Sequence, residues 1–186
     1  LFRRDRGADA LYRALAQVPI FEALSRREFR RLEGILHHRN AVTDEVLVRE
    51  GDQGFGMYVI LSGEVAIHQR GVDGSVQTLA TLTSGDFFGE QALLDQTPRT
   101  ASAVATESCE VVGFFRSDLL GLIESDPRLG LKIVLRLSQM ISVRLRQTNR
   151  LLKEARLEAA QAGAARAALE RTVASLQAPA AGTDRG

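Results

Sequence analysis

The sequence predicts an α+β fold: an antiparallel beta roll, similar to a jelly roll, flanked by N-terminal helices and a long C-terminal dimerisation helix. Amphipathic segments come first, six short alternating runs follow, and a heptad pattern occupies the last third of the chain. Short strands at regular spacing, separated by turns rich in Gly and Asp, are typical of sandwiches and rolls. A sustained heptad repeat indicates a helix that packs against another helix.

Two helices are predicted before the sheet. Residues 8–16 form a short amphipathic stretch, and Ser25-Arg26-Arg27-Glu28 is a capping box that begins a second helix ending near Leu36. In a capping box the Ser and Glu side chains each accept a hydrogen bond from the other residue's backbone N–H, which satisfies two otherwise unpaired donors. Residues 1–17 are therefore assigned as an N-terminal helical segment. His37 and His38 are placed at the end of the second helix.

Six strands are predicted between the turn signals Gly51-Asp52, Ser62-Gly63, 71–74 and 84–86. They cover residues 45–49, 56–61, 64–70, 75–82, 100–106 and 109–115. Residues 88–102 interrupt this alternation, which predicts a short helix and loop on the wall of the roll. The roll as a whole is assigned to residues 18–125.

The C-terminal third is predicted to be helical. Ser117 is the expected N-cap of a short helix ending near Glu124, and Asp126-Pro127 signals the next start, because Pro fits the first helical position. Apolar residues then follow a heptad pattern, with Ser138, Thr148 and Arg166 as polar exceptions. The pattern consists of Leu131, Val134, Ile141, Leu145, Leu152, Ala155, Ala159, Ala162, Leu169, Val173 and Leu176.

This pattern predicts a long helix over residues 126–177 and a homodimer formed through residues 131–176. Gly163 costs a helix about 1 kcal/mol relative to Ala, so the alanine-rich middle is where the helix is expected to fray or break. Residues 178–186 contain Pro, Gly and Ala with few apolar anchors and are predicted to be a disordered tail.

The composition is that of a globular protein, with 45% hydrophobic and 25% charged residues in 186. The net charge of +1 gives no electrostatic argument for nucleic acid. The single cysteine, Cys109, lies in an apolar run and is expected to be a buried strand thiol in a reducing compartment, hence a cytoplasmic location. No segment has the length of a membrane span, so no membrane association is expected.

The sequence offers no catalytic or metal-binding pattern. His37 and His38 are neighbours and His68 stands alone, so the three histidines lack the spacing of a metal site. No Ser-His-Asp or Cys-His arrangement is visible. We therefore expect a protein that is not an enzyme and has neither a metal nor a cofactor.

Residues 88–102 combine features of an anion site. Gly89-Glu90 and Arg99 stand among apolar and small residues, and a buried Arg requires an anion. The nearby carboxylate of Glu90 suits hydroxyl groups, and helix N-terminal N–H groups around residues 91–94 would favour a negative charge. A sugar phosphate has both kinds of group, so the segment predicts binding of a phosphate ester.

The same residues closely resemble the phosphate-binding cassette of cyclic-nucleotide-binding domains, found in bacterial catabolite-activator proteins, kinase regulatory subunits and gated channels. The resemblance covers roughly residues 18–150. The matching runs in the cassette are Phe88-Gly89-Glu90, Ala92-Leu93-Leu94 and Pro98-Arg99-Thr100-Ala101. Others lie upstream in residues 49–52, 57–65 and 84–87 and downstream in residues 105–145.

The resemblance implies a role for each cassette residue. Glu90 would accept a hydrogen bond from the ribose 2'-hydroxyl, and Arg99 would pair with the cyclic phosphate rather than with a protein group. Backbone N–H groups of Ala92 and Thr100 would complete the phosphate site, and Gly89 would permit close approach. The other expected ligand-binding residues in the cassette are Phe88, Gln91 and Ala101, of which Gln91 replaces an apolar residue common in the family.

The resemblance leaves the base open between cyclic AMP and cyclic GMP, with cyclic AMP preferred. A hydroxyl residue such as Thr100 after the arginine occurs in members of both kinds. Thr148 and Asn149 match the Thr-Ser pair with which the catabolite-activator helix contacts adenine across the dimer. The cassette alone would supply affinity, and these two residues would supply the choice of base.

The sequence therefore predicts a cyclic-nucleotide receptor that signals through its dimer helix to a protein effector of unknown identity. No DNA binding by this chain is expected, because an alanine-rich helix stands where catabolite activators place a helix-turn-helix. Two alternatives stay open. One is a truncated transcription regulator, and the other is an interaction module that binds another nucleotide such as cyclic di-GMP.

Overall fold

The computed structural model describes residues 11–177. Residues 11–15 are helical and form α1, which agrees with the predicted amphipathic stretch. Helix α2 spans Arg26–Glu33 and begins with the predicted capping box. The backbone N–H of Ser25 donates to Glu28 Oε2 at 2.8 Å, and that of Glu28 donates to Ser25 Oγ at 3.3 Å. The predicted tail, residues 178–186, lies outside the described part of the chain.

The placement of His37 and His38 at a helix end was wrong. Helix α2 stops at Glu33, and both histidines lie in strand β1, His37–Ala41, which pairs antiparallel with β8. Of the five strand residues only Ala41 is buried, so the sequence HHRNA carries no apolar alternation that would signal a strand. Pairing with β8 determines its conformation instead.

Within residues 11–177, eight strands form two four-stranded antiparallel sheets. The first sheet has the order β1-β8-β3-β6 and the second β2-β7-β4-β5. The remaining strands are β2 Val46–Val48, β3 Gly56–Ser62, β4 Val65–Arg70, β5 Val76–Leu82, β6 Phe87–Phe88, β7 Ser102–Ala105 and β8 Cys109–Phe115. The predicted beta roll is confirmed, and the six predicted strands correspond to β2–β5, β7 and β8.

The core lies between the inner faces of the two sheets. Its buried side chains come from both sheets and include Cys109, as predicted. The cluster consists of Ala41, Leu47, Ile60, Val65, Phe88, Ala103, Ala105, Cys109 and Val111. Because β6 and β7 lead into and out of residues 88–102, this core fixes both ends of that segment.

Helix α3, Arg116–Ser125, follows β8 directly. It begins one residue before the predicted N-cap Ser117, which is therefore inside the helix. The side chain of Asp118 accepts a hydrogen bond from the backbone N–H of Phe115 at 2.9 Å and so supplies the cap instead. An acidic residue in the first turn also matches the positive end of the helix dipole.

Helix α4 runs from Pro127 to Gln177 without interruption, so no break occurs at Gly163. It starts where Asp126-Pro127 predicted, with Asp126 Oδ1 accepting from the backbone N–H of Leu129 at 3.3 Å. The chain divides into two compact units, residues 1–140 and 141–186. Within the first unit Leu129, Ile133 and Leu137 are buried at helical spacing, whereas Leu131 on another side of the helix is 57% exposed.

Glu28 connects α2 to the first part of α4. Lys132 Nζ donates to both carboxylate oxygens of Glu28 at 3.0 Å. Hydrogen bonds from Ser25, together with the bond and charge of Lys132, lower the pKa of Glu28 from 4.5 to about 2. The ionised carboxylate of Glu28 is therefore more stable in the folded protein than in the unfolded chain.

Glu28→Gln should lower the free energy of unfolding at neutral pH by about 1 kcal/mol, the typical contribution of a helix cap. Since the folded pKa is depressed, the stability that Glu28 contributes is present above pH 4.5 and is lost as the pH falls towards 2. Urea titrations at several pH values should show the difference shrink across that window. Glu107→Gln, in the turn before β8, is the control, and a difference from wild type that is constant with pH would contradict the prediction.

Candidate functional site

The segment 88–102, called the cassette below, starts with β6 and a short 3-10 helix, Glu90–Leu93. Gly89 precedes this helix in the left-handed region, with φ of 78°, where a residue with a side chain would be strained. A Cβ atom at Gly89 would also lie 3.1 Å from Arg99 Cζ. Gly89 therefore allows the Arg99 guanidinium to approach the main chain, whereas the sequence led us to expect close approach of a phosphate at this glycine.

Arg99 donates to main-chain carbonyls at the start of the cassette and at the start of β3. Its Nη1 donates to the carbonyl oxygen of Gly89 at 3.1 Å, and its Nη2 donates to that of Gly56 at 2.7 Å. The expectation that Arg99 would have no protein partner was therefore wrong. The guanidinium is half-buried, and burial lowers its pKa from the ordinary value of an arginine, an effect that Tyr58 and Glu90 oppose. The group keeps its positive charge in a setting of neutral carbonyls.

Glu90 is the buried charged residue of the site. Glu90 directly follows Gly89 in the sequence. Its side chain is 3% exposed, and it is the one charged residue that is buried within the described chain. A carboxylate is expensive to bury unless other groups compensate its charge. A buried acid and a half-buried guanidinium next to one glycine give the cassette both a hydroxyl acceptor and an anion-binding group.

The backbone of Arg99 is held by the loop between β2 and β3. Arg99 N–H donates to Asp52 O at 2.8 Å, and Gly51 N–H donates to Arg99 O at 2.9 Å. A Cβ atom on Gly54 would lie 2.8 Å from Ala92 Cβ, so the glycine permits this loop to pack against the 3-10 helix. These contacts place residues 51–54 of the loop directly against the cassette.

The Ala92 N–H, expected to bind phosphate, donates to Gly89 O at 3.2 Å within the 3-10 helix. The Gly89 carbonyl thus accepts from both Ala92 and Arg99.

The other predicted ligand-binding residues differ in burial. Phe88 is buried in the core cluster and stacks on Tyr58 with ring centroids 5.5 Å apart. Gln91 and Thr100 are exposed, and Ala101 is half-buried. Thr148 and Asn149 lie on α4 and are both exposed.

Two side chains that the sequence did not indicate also contact the cassette. Arg116, at the start of α3, donates through Nη1 to the carbonyl oxygens of Leu93 at 2.9 Å and Leu94 at 2.7 Å. Gln69 of β4 donates through Nε2 to Thr100 O at 3.0 Å. Both come from distant parts of the sequence and bind carbonyl groups that any residue offers, so no local motif signals them.

The histidines do not converge. His37 Nε2 lies 3.1 Å from Asp118 Oδ2, His38 Nδ1 lies 3.3 Å from Glu110 Oε1, and His68 contacts Thr78. In the part of the chain that the structure describes, no cluster of three or more His, Cys, Asp or Glu side chains is arranged to hold a metal ion. Among the same residues, no helix has the length and apolar character needed to cross a membrane.

Comparison with known proteins identifies the fold and the motif. The family model for the cyclic nucleotide-binding domain matches residues 38–126. A crystal structure of a cyclic nucleotide-binding domain from Methylobacillus flagellatus is 30% identical, has a TM-score of 0.69, and matches over 81% of this chain and 85% of that one. This match extends beyond the cassette to the whole beta roll.

Two curated relatives agree. The cyclic AMP receptor protein of Thermus thermophilus is 34% identical over 131 residues, which are 70% of this chain and 59% of that protein. A cAMP-dependent protein kinase regulatory subunit of Hypocrea atroviridis is 35% identical over 113 residues, 59% of this chain and 23% of that protein. The chain thus spans less than two thirds of either relative.

The names of these two relatives are those of a receptor and a regulatory subunit rather than of catalysts, in agreement with the prediction of a non-enzyme. On these matches and on the cassette geometry, the chain belongs to the cyclic nucleotide-binding domain family.

Proposed function

We propose that this chain is a receptor for cyclic AMP that holds the nucleotide in its cassette. The observation that carries the proposal is the pairing of a buried carboxylate, Glu90, with a half-buried guanidinium, Arg99, beside Gly89. These are the two chemical groups that a ribose and a cyclic phosphate require. The names of the Thermus and Hypocrea relatives both refer to cyclic AMP, which favours it over cyclic GMP.

To bind the phosphate, Arg99 would exchange its hydrogen bonds to the neutral carbonyl oxygens of Gly56 and Gly89 for hydrogen bonds to charged phosphate oxygens. Hydrogen bonds to ionised groups contribute about 1.5 to 3 kcal/mol, compared with about 1 for neutral pairs. These two carbonyls already hold the guanidinium within the cassette. Binding requires only that its N–H groups turn towards the phosphate of the ligand. Glu90 would accept from the ribose 2'-hydroxyl. The Thr100 N–H, Gln91 and Ala101 would complete the site. The Ala92 N–H would have to leave the Gly89 carbonyl to join them, and Phe88 would support the site from the core.

The second part of α4 would connect ligand binding to output. Leu145 and Leu152 belong to the heptad pattern and are 59% and 48% exposed in the single chain. A second copy of the chain would bury this seam as a coiled coil. Thr148 lies in the same seam beside Asn149, and these two would contact the base. Ligand would then shift the dimer between two packings that a protein effector distinguishes.

Saturating cyclic AMP should raise the melting temperature, because a ligand at about 100 times its dissociation constant that binds only the folded state stabilises it by about 2.7 kcal/mol. The open phosphate of 5'-AMP carries an additional charge and should give no comparable shift. Differential scanning fluorimetry with both nucleotides measures the difference.

Glu90→Gln is the matched variant for this experiment. It keeps the shape and one acceptor for the ribose, so it should retain part of the shift caused by cyclic AMP. Equal shifts of the wild type with 5'-AMP and cyclic AMP would indicate a general nucleotide site instead.

A further inference from the structure

Gln69 lies on the core-facing side of β4, at the point where the core ends. In the β4–β7 ladder Val65 is opposite Ala105 and Ile67 is opposite Ala103, and Val65, Ala103 and Ala105 all belong to the core cluster. Ile67 packs against the same cluster. Side chains alternate along a strand, so Gln69, two residues further on, faces the same side. Gln69 is exposed, whereas Val65 is buried, so its amide lies on this face of the sheet beyond the edge of the core.

This amide contacts the cassette from outside it. Gln69 Nε2 donates to Thr100 O at 3.0 Å, and Thr100 directly follows the proposed phosphate ligand Arg99. Gln77 of β5 is the cross-strand partner of Gln69, and partners in an antiparallel ladder share a face. The inner face of the β4–β5 hairpin next to Thr100 is therefore lined by amides, although apolar side chains line the same face further along β4.

The bond to Thr100 fixes the orientation of the amide. One N–H of Nε2 binds the carbonyl, and a glutamine amide has a second N–H donor and a carbonyl oxygen acceptor to offer. A donor and an acceptor side by side match adenine, which presents the N6 donor beside the N7 acceptor. On the same edge guanine presents two acceptors, O6 and N7, and a glutamine amide matches only one of them.

We infer that Gln69 contacts the base of the bound nucleotide and favours adenine over guanine. The inference rests on the proposed function, and it adds a contact from the roll itself to the base-reading role assigned to Thr148 and Asn149. Phosphate and ribose are common to both cyclic nucleotides, so selectivity requires donors and acceptors at the purine edge. Gln69 is a polar side chain with both kinds of group that adjoins the cassette from the inner face of the sheet.

A purely structural role for Gln69 makes a different prediction. If the amide only holds β4 against Thr100, its loss loosens the cassette and weakens both nucleotides by the same factor. If it contacts the base, its loss changes the ratio of the two dissociation constants. The ratio therefore separates the two roles, and the absolute affinity does not.

Calorimetric titrations of the full chain with cyclic AMP and cyclic GMP test the inference. In Gln69→Leu the preference for cyclic AMP should fall about three- to tenfold, the effect of one lost hydrogen bond. Thr78→Val is the matched control, because Thr78 lies on the same hairpin but contacts His68 on the opposite face. Its ratio should equal that of the wild type. If Gln69→Leu does not fold, Gln69→Met keeps the length of the side chain and should show the same loss of preference.

A ratio in Gln69→Leu within twofold of the wild-type value, or a ratio shifted further towards cyclic AMP, would overturn the inference and leave the proposed function standing. Failure of the wild type to bind either nucleotide would overturn the proposed function and the inference together. The two failures are thus distinguishable in one set of titrations.

Discussion

Arg99→Ala should weaken the binding of cyclic AMP about a hundredfold or more. The guanidinium fork is suited to two charge-assisted hydrogen bonds with the phosphate, each contributing about 1.5 to 3 kcal/mol. Arg116 also contacts the cassette, but it donates to the carbonyl oxygens of Leu93 and Leu94 instead. Calorimetric titration measures the loss, and a dissociation constant within about threefold of the wild-type value would show that the cassette does not bind phosphate in this way.

The structure adds a cost to the same substitution. Arg99 donates to Gly56 O and Gly89 O, so Ala removes two hydrogen bonds of the unliganded protein as well. The melting temperature of Arg99→Ala should therefore fall, and circular dichroism must show that the variant is folded at the temperature of the titration. Arg99→Lys keeps the charge but not the fork and should bind with intermediate affinity. The control is Arg49→Ala, which removes an exposed arginine at the start of the β2–β3 loop and should bind as wild type does.

Leu145→Asp should convert the proposed dimer into a monomer. The leucine belongs to the heptad seam and is 59% exposed in the single chain, and in the proposed dimer a second copy would bury it. Burying an unpaired carboxylate there would cost several kcal/mol at each of the two symmetric positions. Analytical ultracentrifugation at micromolar concentration should show a dimer for the wild type and a monomer for the variant.

Gln147→Asp is the matched control, because it introduces the same charge two residues away and off the seam. It should remain dimeric. The monomeric Leu145→Asp protein should also lose part of its preference between cyclic AMP and cyclic GMP, since Thr148 and Asn149 would no longer meet the neighbouring subunit. A monomer with full preference would show that the base is read within one subunit and would exclude the role proposed for the helix pair.

The parts of the fold that the sequence predicted are those with a local signal. The short apolar runs of β3, β4 and β8, the capping box at Ser25 and the Asp126-Pro127 helix start each depend on neighbouring residues, and each appears in the structure as a strand or a helix start. Strand β1 has no such signal, because its polar residues become a strand only by pairing with β8. Strand β6 spans Phe87–Phe88 alone and is too short to alternate.

The candidate site divides in the same way. Glu90, Gly89 and Arg99 stand within one motif, and the sequence indicated all three. The contacts of Arg116 with Leu93 and of Gln69 with Thr100 join residues 23 and 31 positions apart and were not predictable. Nor were the two carbonyl acceptors of Arg99, since carbonyl groups carry no sequence signature. Side chains that bind backbone from another element become visible only when the fold is known.

Isothermal titration of the wild-type chain with cyclic AMP, cyclic GMP and cyclic di-GMP tests most directly whether the cassette recognises a cyclic mononucleotide. We expect saturable binding of one cyclic AMP per chain, weaker binding of cyclic GMP, and no binding of cyclic di-GMP, whose phosphates join two nucleosides and do not close a ring on a single ribose. The absence of saturable cyclic AMP binding, or tighter binding of cyclic di-GMP, would contradict the assignment of Glu90 to the ribose and Arg99 to the phosphate.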